Sequence, residues 1–140
     1  MQDLIHLADL IHVSNYVNGR ISQIIGRPAN IGALGEHIAS RIFEIDLHEN
    51  AVTKASNGTF RLPPALAGRS GSIKFYSRMG GLFDMAASVD RASHPDYYLV
   101  LSGPIPKSAT TKGTQAPLVI DRVYLFDADL LLSKLVDRNP

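Results

Sequence analysis

Cysteine is missing from all 140 positions of this chain. Its absence excludes a disulfide framework, a thiolate zinc site and a cysteine nucleophile, and it fits a reducing compartment. A dominant charge is missing as well: 14 Lys and Arg stand against 13 Asp and Glu, a formal net charge of +1. No global field therefore draws the chain to nucleic acid or to an anionic membrane, and any nucleic-acid surface has to be a local patch. No apolar run approaches the ~18 residues that a membrane-spanning helix needs. The opening stretch MQDLIHLADL carries acids and no basic cluster, unlike a secretory leader, so the expected address is the cytoplasm. There is no phosphate-binding glycine loop, no H-E-x-x-H helix and no serine in a nucleophile elbow.

What is present is an ordinary globular composition, 45% hydrophobic and 19% charged, enough to build a core without staples. The length suits one domain over residues 1–140.

Residues 2–26 read as one long helix. Leu4, Ile5, Ala8, Ile11, Val17, Ile21, Ile24 and Ile25 largely follow the helical spacing, and Gly26 followed by Pro28 ends it. This N-terminal extension, 1–28, is expected to lay its apolar stripe on one face of a sheet; the alternative is pairing with its own copy in a homodimer. His6 and His12 sit too far apart around the axis to form a metal pair. Residues 30–140 make the α/β core. Asn30 caps a second helix over 31–44, whose inward stripe is Leu34, Ile38 and Ile42.

From Asp46 onward the period shortens. Residues 52–62 mix β-formers with a turn signal at Asn57–Gly58. In the strand 72–77, Ile73, Phe75 and Ser77 share one face and Ser72, Lys74 and Tyr76 the other. Residues 97–101 are apolar throughout, which predicts an interior strand covered on both faces. Residues 118–126 hold the last strand, and Asp127 caps a final helix running to Leu135. Between these, 82–93 read as a short helix and 103–115 as a polar loop. The fold class that follows is α/β: a central mixed sheet of about four to five strands flanked by helices, with a long N-terminal helix.

Three residues stand out for chemistry: Glu36 on the first core helix, Asn57 at a strand start, and Lys74 inside a strand. Oxygen ligands from carboxylates hold a hard cation such as Mg²⁺, the cation polarises a phosphate and acidifies a bound water, and a lysine stabilises the developing charge. Their order along the chain resembles the PD-(D/E)xK superfamily, the fold of many restriction endonucleases, and the chain is similar to a bacterial domain family with that core. The stretches that carry the resemblance are GEHIASRIFEIDLHENA, KASNGTFRL, GSIKFYSR and PDYYLVLSGP, about half the chain.

The resemblance implies a restriction endonuclease-like core, Mg²⁺ as cofactor and DNA as substrate or partner, without a membrane role. Glu36 matches the helix acid and Lys74 the strand lysine. Asn57 stands where a metal-binding Asp is expected, and Ser72 where the pattern has an acid or amide. Glu36 and Asn57 would hold the metal, and all four are expected around one depression at the sheet edge. Both departures remove negative charge from metal positions. A basic patch of Lys54, Arg61, Arg69 and Arg78 is expected to meet phosphates. Two other readings use the same residues: a non-catalytic module that binds nucleic acid or protein, and a subunit of a larger assembly built through the N-terminal helix.

Overall fold

The computed structural model describes residues 1–49, 56–76, 94–104 and 119–138. Helix α1 spans Gln2–Ile25. It ends at Gly26, whose φ of 71° puts it in the left-handed region, where its N–H donates to the Ser22 carbonyl. Glycine reaches that conformation without a Cβ penalty, and Pro28 prevents the helix from resuming. Helix α2, Ile31–Ile42, starts where Asn30 Oδ1 accepts from the Ala33 N–H at 2.8 Å, a side-chain N-cap.

Among the described residues five strands follow in chain order: β1 Ile45–Leu47, β2 Gly58–Phe60, β3 Ser70–Tyr76, β4 Tyr97–Ser102 and β5 Arg122–Asp127. They lie in that same order in one sheet. The β1–β2, β2–β3 and β4–β5 pairs are antiparallel and the β3–β4 pair is parallel. Helix α3, Ala128–Arg138, closes the order, and Asp127 Oδ1 accepts from the Leu130 N–H at 3.1 Å as its cap. The expected α/β class with a mixed sheet and a long N-terminal helix is what the chain forms.

The core sits on both faces of β3 and β4. Ile73, Leu99 and Leu101 join Ala39 of α2, Ile45 and Phe60 on one face, with Phe75 packed against them. Tyr98 and Val100 join Ala128 on the other face, with Tyr76, Phe126 and Leu131 packed against them. β4 is thus interior, as its apolar run predicts, and Leu99 and Leu101 keep 3% and 1% of their surface. Among ordinary cores, burying such a leucine contributes about 1.5–3 kcal/mol.

Helix α1 departs from its expected role. It leaves residues 1–20 exposed, and its half-buried residues are Ile21, Ser22 and Ile25 in its last turns. Its apolar stripe does not cover the sheet; α2 does. The Asn57–Gly58 pair is also not the turn of a hairpin: Gly58 opens β2 and pairs with Leu47 and Gly71. The short helix read at 82–93 lies outside the described residues, as do Lys54, Arg78 and most of 103–115.

Candidate functional site

The close packing of α2 on β3 decides where Glu36 goes. A Cβ on Gly35 would fall 2.6 Å from the Phe75 Cβ, so only glycine lets the helix come this near. The next residue, Glu36, then lies at the flank of the contact, with 20% of its side chain exposed. From there its carboxylate reaches Asn57, which comes immediately before β2.

Asn57 is held on every side. Its own N–H donates to the Gly71 carbonyl at 2.8 Å, and its carbonyl accepts from the His48 N–H at 2.8 Å. Its side-chain Nδ2 donates to Glu36 Oε1 at 3.1 Å. Its Oδ1 accepts from the Ile73 N–H at 2.6 Å and from Ser72 Oγ at 3.3 Å. The amide thus extends the β2–β3 ladder by one side chain and ties the sheet to α2. The second oxygen of Glu36, Oε2, takes a 2.7 Å ion pair from Arg27 Nη2. Arg27 had drawn no attention in the sequence; the available signal was a basic residue between the helix-ending Gly26 and Pro28, next in space to an acid on the following helix.

The structure therefore brings Glu36, Asn57 and Ser72 together and leaves Lys74 apart. Ser72 and Lys74 share a face of β3, and their parallel partners are Tyr98 and Val100. Those two residues pack on the α3 side, whereas Gly35 and Ala39 of α2 meet the opposite face. Strand alternation thus directs Lys74 away from the face that carries Glu36. Among the described residues Lys74 makes no side-chain hydrogen bond or ion pair.

These residues as placed do not fit Mg²⁺. A hard cation needs several free oxygen ligands with negative charge. Here Glu36 has one oxygen on Arg27 and the other on Asn57, and Asn57 Oδ1 already accepts two hydrogen bonds. Among the described residues no three His, Asp or Glu side chains gather into a group able to hold a metal.

Two of the four expected phosphate-binding residues are described, and both face acids. Arg61 pairs with Glu44 and Asp46, each at 3.2 Å, and Arg69 approaches Asp96 at 4.0 Å. Two clefts lie elsewhere. One, of about 630 Å³, is apolar and runs between Phe43, Phe60, Leu62, Leu66, Val123 and Leu125. The other, of about 500 Å³, is polar and lies by Ser40, Arg41, Glu44, Asp46 and Arg61. Neither is lined by Glu36, Asn57, Ser72 or Lys74. Among the described residues no helix is long and apolar enough to cross a membrane.

No protein-family model matches the chain, and no curated protein matches it significantly.

Proposed function

We propose that this chain is a nuclease-like domain of the restriction endonuclease type whose metal centre has become a hydrogen-bonded latch, so that it binds a partner without cleaving phosphodiesters. The observation that supports this reading is the Asn57 side chain. It stands at the position of a metal-binding Asp in the resemblance, between the helix acid and the strand serine, but it satisfies Glu36 by donating a hydrogen bond. A carboxylate there would recruit a cation; an amide replaces the cation. Lys74, on the face of β3 opposite α2, supports only the absence of cleavage, and it counts against the nuclease-like part of this reading, which needs that lysine beside Glu36.

DNA is the partner that the resemblance implies, and the cytoplasm is the proposed address, in keeping with the lack of cysteine. A plasmid-nicking assay with Mg²⁺ and with Mn²⁺ tests the reading. No nicking is expected from the parent chain. Nicking that disappears in both Glu36→Gln and Lys74→Ala would overturn it and establish a working nuclease centre. Nicking that survives both would overturn it too, and would place chemistry elsewhere.

A second reading, a protein-interaction module on the same scaffold, is favoured by one specific observation: every residue of α1 from Gln2 to Arg20 is exposed, large apolar side chains such as Leu4, Leu10, Val13 and Val17 among them.

A further inference from the structure

Large exposed apolar surface on a helix requires a partner in water. Leu10, Val13, Val17 and Ile24 keep 53%, 57%, 46% and 74% of their surface. With Asp3, His6 and Arg20 they form one uninterrupted stripe at alternating spacings of three and four: 3, 6, 10, 13, 17, 20, 24. That spacing is the seam of a two-helix coiled coil. The neighbouring stripe of Leu4, Leu7 and Ile11 is exposed as well, but it passes through Ser14 and Asn18 into Ile21 and Ile25, which are half-buried, so the first stripe is the one left free along the whole helix.

The charges on the stripe choose the occupant. We propose that α1 pairs antiparallel with α1 of a second copy of this chain, in the register that sets Asp3 against Arg20. That register sets Leu10 against Val13 and His6 against Val17, and it repeats by symmetry at the other end. A parallel pair would instead stack Asp3 on Asp3, His6 on His6 and Arg20 on Arg20, each a like-with-like contact. The overlap runs from residue 3 to residue 20, about 27 Å of helix, and stops where α1 joins the body, which places the two bodies at opposite ends of the paired helices. Two helices in contact over that length bury on the order of 1,000 Å² in total, the lower bound for a specific interface. Arg20 is available for the contact: among the described residues its guanidinium donates only to Gln23 Oε1, one turn along the same helix, at 3.4 Å.

This inference deepens the interaction reading by naming its partner and does not depend on whether the Glu36 latch is catalytic; nicking assays decide that question separately. Sedimentation of the full chain over a range of concentrations is the first measurement, and a concentration-dependent monomer–dimer equilibrium is expected. Val13→Glu should raise the dissociation constant about tenfold or more, a change of at least ~1.4 kcal/mol, without altering the circular dichroism of the body. The native chain has no cysteine, so directed cross-linking gives the orientation. An equimolar mixture of Asp3→Cys and Arg20→Cys chains should form the mixed disulfide faster than either chain forms its own. The charge-exchanged variant Asp3→Arg with Arg20→Asp should regain the dimer that each single change weakens. A monomer at all concentrations overturns the proposal, as does preferential cross-linking of position 3 to its own copy. A dimer that Val13→Glu leaves unchanged also overturns it, because assembly would then run through another surface.

Discussion

Asn57 holds a helix to a sheet with a single amide. Removing it leaves the Ile73 N–H, a Glu36 oxygen and the Ser72 hydroxyl without a partner in a half-buried setting. Asn57→Ala is therefore expected to lower the unfolding free energy by about 2–3 kcal/mol in urea melts, since unpaired buried groups cost more than the bonds nominally contribute. Asn57→Asp should behave differently. It replaces the Nδ2 donor by an oxygen facing Glu36 at the present 3.1 Å separation, and two carboxylates so close raise the pKa of one of them. An acid whose folded-state pKa is raised is stabilised by protonation. The variant should therefore be less stable than the parent near neutral pH and recover as the pH falls, measurable as a parent–variant gap in thermal melts that narrows on acidification. A gap that widens on acidification would show that the two groups do not face each other. At this scale the sequence was partly legible. Glu36 and Asn57 are informative because Gly35 and the β2 start fix their surroundings. The Arg27 pair is a contact across a chain reversal, and no local spacing announces it.

Helix α1 shows where local pattern stops being sufficient. Its limits are written in the chain, in the apolar spacing and in Gly26 and Pro28. The caps of α2 and α3 are equally legible at Asn30 and Asp127, and so is the interior position of β4 in the apolar run from Tyr97. Which surface an apolar stripe covers is not local information. The face of α2 that meets β3 is built on Gly35 and Ala39, not on the expected stripe of Leu34, Ile38 and Ile42. Ile42 keeps 63% of its surface and Leu34 and Ile38 are only half-buried, because the close approach that Gly35 permits selects small residues at the contact. The three-residue strand β1 is illegible for a related reason: Ile45–Leu47 is too short for an alternation to declare itself, and it exists because Phe60 and Gly58 pair with it. An expected outcome follows for α1. Because residues 1–20 are all exposed, deleting residues 2–18 should leave the urea midpoint of the body within a shift worth about 0.5 kcal/mol, the range of ordinary surface changes. Loss of cooperative unfolding on deletion would mean that α1 carries part of the core. Leu101→Ala, in contrast, is expected to cost about 2–5 kcal/mol through the cavity it opens beside Ala39 and Ile73.

The whole molecule is nearly neutral, and its described arginines by the sheet are matched to Glu44, Asp46 and Asp96. DNA binding measured by fluorescence anisotropy over a range of salt should therefore be weak. Changing Arg61 and Arg69 together to Ala should alter the slope of log K against log salt by less than about one unit. A loss of about two units would mean that both arginines reach phosphates despite their acidic partners. The account as a whole turns on whether Glu36, Asn57 and Ser72 form a latch or a metal centre. Calorimetric titration of Mg²⁺ into the parent chain and into Asn57→Asp addresses this most directly. The latch predicts no saturable heat for the parent at about 1 mM Mg²⁺, the range of weak oxygen-ligand sites, and a new saturable, stabilising event for Asn57→Asp, where the cation relieves the paired carboxylates. Saturable Mg²⁺ binding by the parent, lost in Glu36→Gln and unchanged by Asn57→Asp, would contradict it.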